Sequence, residues 1–174
     1  EVVNKTSSME DKSLRNMAIQ NWVMKNPNEA TNWIDSLKDE KEKKILNKQV
    51  LSSWMDNDPQ NAATWYISKA DEKDKQSAVD NIIQHWSFRN PKATMEWIKN
   101  QEGIDSKESV KKLLKSALYI NPEYVADNLG EITDKKIKKE LSQKVYTQLQ
   151  TQNREKAKEF FENSPFRGDL GKKF

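Results

Sequence analysis

Few residues of this chain could do acid–base or metal chemistry. The 174 residues include no cysteine and one histidine, His85, so disulfides and thiolate nucleophiles are excluded. A metal site would have to be built mostly from carboxylates. A histidine that acts as a general base needs a partner nucleophile or acid held in geometry, and no Ser/His/Asp pattern accompanies His85. The sequence therefore predicts no catalytic residues, no cofactor and no metal.

The paired carboxylates have a structural explanation. They are Asp39 and Glu40, Asp56 and Asp58, and Asp71 and Glu72. Each pair stands where a helix start or a hairpin junction is predicted, and a carboxylate there accepts hydrogen bonds from backbone N–H groups that lack an intrahelical partner. The sequence contains no Gly-rich phosphate loop, no HExxH motif and no EF-hand pattern. The chain is predicted not to be an enzyme.

All six tryptophans fall on one lattice with a period of 32 residues. Trp54 and Trp65 flank Asp58 and Pro59, and the same Trp-x4-Pro-x5-Trp pattern stands once upstream and once downstream. A period of about 20 to 50 residues is typical of repeat proteins. The polar residue before the proline suits a helix cap, and proline suits the first helical position. Each unit is therefore predicted to be a hairpin of one long and one short helix.

The predicted fold class is all-α, a right-handed superhelical solenoid of about five antiparallel two-helix repeats. Residues 8–163 are predicted to form a single domain, with repeats at 8–38, 39–70, 71–104, 105–133 and 134–163. A flexible lead-in (1–7) precedes it and a loosely ordered tail (164–174) follows. In the first long helix the apolar stripe is predicted to be Leu14, Ala18 and Trp22, widened by Ile19. The last repeat lacks both tryptophans and the proline, as terminal repeats often do.

Several residues mark predicted helix ends. Ser8 opens a pattern similar to a capping box. Asp39 and Asp71 occupy equivalent positions before the second and third long helices, where each is predicted to cap its helix. Gly103 suits the position directly after a helix C-cap.

The repeat unit resembles the tetratricopeptide, Sel1-like and HEAT-like class of α-solenoids over roughly residues 8–163. In the tetratricopeptide pattern a Trp-Leu-Gly-Tyr series lies in the first helix and a proline ends the unit. Here tryptophan ends the long helix and Asn-Pro or Asp-Pro opens the short one. The Trp-x4-Pro-x5-Trp form looks more like repeats of bacterial exported proteins. The resemblance implies a scaffold and carries over no catalytic residue.

A nearly uncharged strip flanks the apolar stripe of the long helices, although 33% of all residues are charged. A row of parallel helices would present this strip as one surface, which is how helical-repeat proteins bind peptides. The alternative is that these residues pack against the next repeat. The candidates for a binding groove are Met17, Asn21, Met24, Gln49, Ser53, Asp56, Asn81, His85, Phe88, Leu113, Ala117 and Ile120.

Three functions are compatible with these patterns. The first is a non-enzymatic scaffold that binds a protein or peptide partner. The second is a HEAT-like nucleic-acid-binding protein that uses Lys111, Lys112, Lys115 and the lysines from Lys135 to Lys139. The third, a small carbohydrate-binding or inhibitor protein, rests on the tryptophan content alone. Because the net charge is only +3 and the two signs are interspersed, protein binding is favoured over nucleic acid.

The sequence contains no apolar run long enough to span a membrane. It begins at Glu1, which fits either a removed leader or a fragment of a longer array. An extracytoplasmic location, periplasmic or secreted, is favoured, and a cytoplasmic location and the oligomeric state stay open.

Overall fold

Ten α-helices and no β-strand occur in residues 9–171, which are the residues described by the structure, a computed structural model. The helices are α1 (Met9–Lys25), α2 (Pro27–Asp35), α3 (Glu40–Trp54), α4 (Pro59–Ser68), α5 (Lys75–Trp86), α6 (Pro91–Lys99), α7 (Ser106–Ala117), α8 (Pro122–Asp127), α9 (Lys135–Gln152) and α10 (Arg154–Asn163). Short 3-10 turns lie at Leu129–Glu131 and Arg167–Asp169. The predicted all-α class is confirmed. The predicted cap at Ser8, the lead-in 1–7 and the last residues 172–174 lie outside the described part.

Proline opens the short helices α2, α4, α6 and α8, as the repeat pattern predicts. The side-chain oxygens of three preceding residues accept a hydrogen bond from a first-turn backbone N–H: Asp58 from Asn61, Asn90 from Ala93, and Asn121 from Tyr124. Asn26, before α2, makes no such bond. The hairpin junctions are therefore fixed locally, by one proline and, in three of these four cases, one capping side chain.

The long helices begin less regularly than predicted. Asp39 caps α3 by accepting from the backbone N–H groups of Lys41 and Glu42. The predicted cap at Asp71 is wrong, because residues 72–74 form a turn and the helical hydrogen bonds of α5 start at the carbonyl of Asp74. The prediction for Gly103 is also wrong, since α6 already has its C-cap at Asn100. Gly103 lies in the following loop with φ of +72°, a conformation that favours glycine.

The chain divides after Asp71 into two compact units. The single continuous domain predicted over residues 8–163 therefore stays a prediction. In the first unit α1 packs against α2 and α3, α2 also packs against α3, and α3 packs against α4. The tryptophans pair within each hairpin: the ring centroids of Trp22 and Trp33 are 5.9 Å apart, and those of Trp54 and Trp65 are 5.8 Å apart.

Only part of the apolar stripe predicted for α1 is buried. Ile19 and Val23 are buried, whereas Leu14 is 64% exposed and Ala18 is also exposed. The residues one repeat later, Leu46 and Val50, are buried in α3, which packs against α1. Leu14 and Ala18 are exposed because no long helix precedes α1 among the described residues.

The second unit contains α5 to α10. Both α6 and α5 pack against α7, α7 packs against α8, and α9 packs against α8 and α10. Trp86 and Trp97 form the third tryptophan pair, with 6.2 Å between ring centroids. In the last hairpin Tyr146 and Phe161 make the corresponding contact between helices, at 5.6 Å. Aromatic pairs at this distance stabilise a hairpin beyond the area they bury.

Polar contacts join residues about one repeat apart within each unit. Lys69 Nζ lies 2.6 Å from Asp35 Oδ2 in the first unit. In the second, Lys99 Nζ lies 2.7 Å from Glu131 Oε1, and the Tyr124 hydroxyl donates to the Pro91 carbonyl at 3.2 Å. These pairs are 34, 32 and 33 residues apart in sequence. Successive hairpins of each unit therefore lie side by side, as helical repeats do.

Residues 164–171 are packed against the last hairpin, so the loosely ordered tail predicted there is wrong. Phe166 and Leu170 are buried. Asp169 holds the segment to α9, because its carboxylate lies 2.7 Å from Lys139 Nζ and its carbonyl accepts from Gln143 Nε2 at 3.2 Å. Burial of Phe166 and Leu170 stabilises this segment, although its many charged residues indicated a loose tail.

Candidate binding surface

Six of the twelve groove candidates lie in the first unit, on or directly after α1 and α3. These two helices pack against each other. Four candidates are exposed and two are half-buried: the exposed ones are Met17, Asn21, Met24 and Asp56, and the half-buried ones are Gln49 and Ser53. Met17 is 56% exposed and Met24 is 59% exposed, so α1 presents two large apolar side chains on its outer face.

The other six candidates lie in the second unit and do not share one exposed face. Asn81 and His85 are half-buried, and Phe88 and Ile120 are exposed. Leu113 and Ala117 are 0% and 1% exposed, so their assignment to an open groove is wrong. The reason is that α7 packs against α5, α6 and α8 at once, and its inner positions belong to the core. In this unit the alternative interpretation, packing between repeats, applies to Leu113 and Ala117.

Three large apolar side chains are exposed where the long helices of the second unit end. Phe88 is 46% exposed and stands two residues before Asn90 and Pro91, while Tyr119 and Ile120 are 65% and 58% exposed and stand just before Asn121. Equivalent ends of two successive hairpins therefore carry apolar groups. We call Phe88, Tyr119 and Ile120 the tip surface.

The backbone of the tip surface is held in place by side chains. Gln152 Nε2, at the end of α9, donates to the carbonyl of Tyr119 at 3.0 Å. Arg89 Nη1 donates to the carbonyl of His85 at 3.2 Å, which fixes the turn that carries Phe88. A surface whose backbone is fixed loses less conformational freedom when a partner binds.

A cleft of about 220 Å³ opens beside Tyr119. Its floor is apolar and consists of Leu118, Ile137 and Leu141, of which Leu118 and Leu141 are 2% exposed. Its rim is polar and consists of Lys115, Tyr119, Glu140 and Lys144, all exposed. The cleft thus combines the end of α7 with the first half of α9, and Tyr119 belongs to both the cleft and the tip surface.

Positive charge dominates the rim of this cleft. Glu140 Oε1 accepts from Lys144 Nζ at 2.9 Å. This hydrogen bond, together with the charges of Lys144, Lys115 and Lys136, lowers the pKa of the Glu140 carboxyl below its ordinary value. Lys115 and Lys144 line the cleft with Glu140, and Lys136 lies one helical turn before Glu140 on α9, so lysines outnumber carboxylates around the cleft.

Three of the seven lysines named as nucleic-acid candidates have acidic partners. Lys111 forms an ion pair with Glu108, Lys112 with Asp80, and Lys139 with Asp169. An ion pair at each of these positions lowers the positive potential available to phosphates. Lys115 and Lys144 line the cleft together with Glu140.

The tryptophans do not form an exposed aromatic track. Trp54, Trp86 and Trp97 are buried, the other three are half-buried, and all six are paired within hairpins.

No group of three or more His, Cys, Asp or Glu side chains in the described part of the chain is placed to hold a metal ion. His85 is half-buried beside Trp86.

Tyr119, Ile137, Glu140 and Lys144 were not among the sequence candidates. Two signals point to them. Tyr119 and Ile120 precede Asn-Pro just as Phe88 does, and Glu140 and Lys144 are spaced for an i, i+4 ion pair on a helix.

No protein-family model matches this chain, and comparisons with curated proteins and with solved structures find no match. The fold itself therefore defines the class, an all-α protein whose hairpins are consistent with helical repeats. Within residues 9–171 no helix has the length and apolar character needed to cross a membrane.

Proposed function

We propose that this chain is a non-enzymatic binding module that holds a protein or peptide partner on its tip surface. The observation that carries the proposal is the exposure of Phe88, Tyr119 and Ile120, by 46 to 65%, at equivalent ends of two successive hairpins. Exposed apolar groups that cluster on a surface rich in charge are typical of protein interaction sites.

The free energy gained by burying these three side chains indicates that the partner must contact further groups. Fully burying one large apolar side chain is worth about 1.5–3 kcal/mol, so covering the exposed halves of three contributes about 2–5 kcal/mol. Association costs about 4–15 kcal/mol in lost translational and rotational freedom. The tip surface alone is therefore too small for a stable complex, and the partner also needs neighbouring groups such as the cleft beside Tyr119.

The proposed architecture is one right-handed superhelical array of five hairpins. The 32-residue lattice of the sequence supports it, as do the polar contacts between residues 32 to 34 apart within each unit. In such an array the ends of successive hairpins form one edge, and helical-repeat proteins use extended surfaces of this kind for binding.

The two alternative functions receive less support. A nucleic-acid-binding surface needs lysines that can reach phosphates, and Lys111, Lys112 and Lys139 are engaged with carboxylates. A carbohydrate site built on tryptophan needs exposed rings, and the six rings are paired inside the hairpins.

The test is partner capture by a doubly substituted chain. Immobilised native chain is used to isolate a partner from cells of the source organism, and the purified partner is then titrated against Phe88→Glu combined with Ile120→Glu. We expect at least about a tenfold loss of affinity, because charge in the centre of an apolar contact must be desolvated.

The matched control is Ser52→Glu combined with Ser77→Glu, which adds the same charge at two exposed positions outside the tip surface. Both variants should keep the helical circular dichroism of the native chain. Undiminished binding by the folded Phe88/Ile120 variant would place the binding site elsewhere, and measurable turnover of a peptide, glycan or nucleic acid would overturn the non-enzymatic assignment.

A further inference from the structure

The cleft beside Tyr119 has the dimensions of a site for one side chain. Small-molecule sites have volumes of about 300–1,000 Å³. The cleft measures about 220 Å³ and is lined by residues of two elements, the end of α7 and the first half of α9. Its buried floor of Leu118 and Leu141 favours an apolar group, and its exposed rim favours a polar one next to it.

The charges around the cleft specify the polar group. Lys136, Glu140 and Lys144 follow one another at intervals of four on α9, so their side chains lie on one face of that helix. Lys144 is hydrogen-bonded to Glu140, whereas Lys115 and Lys136 form no ion pair within the described residues. Lys115 lines the cleft, and Lys136 lies one helical turn before the rim residue Glu140. Two ammonium groups beside an apolar cleft are complementary to a carboxylate that accompanies an apolar side chain.

We propose that this cleft binds an acidic peptide segment of the partner, with one apolar side chain on the floor of Leu118 and Leu141 and a carboxylate paired with Lys115 and Lys136. The inference rests on the proposed function and adds the chemistry of the partner to it. Tyr119 joins the two surfaces, so a segment bound in the cleft continues onto the tip surface.

Lysines also bind the phosphates of nucleic acids, but the surroundings of this cleft favour a peptide. Phosphate binding along a nucleic acid uses a series of cations at the spacing of the backbone. Here the neighbouring Lys111, Lys112 and Lys139 are in ion pairs, which interrupts such a series. The floor of the cleft is aliphatic, and Tyr119 on the rim is the single aromatic side chain among the residues that line it, whereas successive bases stack on a series of aromatic side chains.

The probe is a random peptide library displayed on phage and selected on the immobilised full chain. We expect the enriched peptides to carry Asp or Glu beside an apolar residue. An enriched peptide, synthesised with fluorescein, should bind Lys115→Glu combined with Lys136→Glu at least about tenfold more weakly than the native chain, because like charges then face each other.

The matched control is Lys92→Glu combined with Lys158→Glu, which changes the net charge equally at two exposed lysines outside the cleft. This control should bind the labelled peptide as the native chain does. Circular dichroism of both variants shows whether the helical fold is kept.

The outcomes separate this inference from the proposed function. One outcome is that the enriched peptides lack acidic residues and bind the Lys115/Lys136 variant normally but the Phe88/Ile120 variant weakly. That result would support the proposed function and overturn the acidic partner. Fluorescein-labelled oligothymidine that binds the native chain and not the Lys115/Lys136 variant would assign the lysines to nucleic acid instead. No enrichment on the native chain would overturn the acidic peptide, whereas the proposed function is decided separately by the capture experiment.

Discussion

Replacing Trp86 by alanine tests whether the tryptophan lattice is the core of the hairpins. Trp86 is only 4% exposed, and its ring centroid lies 6.2 Å from that of Trp97. Truncating a buried tryptophan to alanine costs about 3–5 kcal/mol, because the apolar transfer energy is lost and a cavity remains. The lost pairing with Trp97 contributes about 0.5–1.5 kcal/mol of this amount. We therefore expect Trp86→Ala to lower the free energy of unfolding by about 3–5 kcal/mol.

Urea unfolding followed by far-ultraviolet circular dichroism measures this loss, and it does not depend on the fluorescence of the tryptophan that is removed. With a denaturant slope of about 2 kcal/mol per molar urea, the midpoint should fall by about 1.5–2.5 M. Because the chain contains two compact units, near-ultraviolet circular dichroism must follow the same transition for a single free energy to be assigned.

Trp22→Ala is the matched control, since Trp22 is half-buried and its Nε1 lies 3.4 Å from Glu29 Oε2. It should shift the midpoint less than Trp86→Ala does. An unchanged midpoint for Trp86→Ala, or a larger shift for the control, would refute the reasoning that the lattice forms the core.

Two further predictions concern a helix cap and an ion pair. Asn90→Ala should lower the free energy of unfolding by about 1 kcal/mol, because the Asn90 side chain accepts from the backbone N–H of Ala93 at 3.0 Å. Urea unfolding measures this loss. Asn26→Ala, at a junction without that bond, should lower the free energy of unfolding less, and equal losses would contradict the capping argument. Lys144→Gln should raise the pKa of the Glu140 carboxyl, because it removes the hydrogen bond and charge that lower it most. A carboxyl with a lowered pKa in the folded state stabilises the fold above its unfolded pKa and loses this contribution as the pH falls through the folded pKa. Carboxyl titration by nuclear magnetic resonance measures the change, and an identical pKa in the variant would show that Lys144 is not the cause.

The hairpins could be predicted from the sequence because their signals are local. A proline at the first helical position and a polar residue before it act within one turn, and Pro59 after Asp58 is found where the pattern places it. The lattice places Trp54 and Trp65 in one hairpin, and the structure shows that their rings pair there. Long, periodic segments therefore predict the helices reliably.

The binding candidates could be predicted only in part. Phe88 and Ile120 are exposed as expected, but Leu113 and Ala117 are buried. Equivalent positions in the repeat differ in exposure because their neighbours differ. The period places a residue on a helix face, and the number of helices packed against that face decides whether it is covered.

The amino-acid sequence by itself determined the all-α class and the hairpin junctions, since each follows from interactions over a few turns of one chain segment. Only the tertiary structure decided which faces are covered and where charge accumulates. The cleft combines Lys115 and Tyr119 with Ile137, Glu140 and Lys144, which lie on different helices. Its chemistry arises from the packing of side chains distant in sequence, and no local pattern encodes that packing.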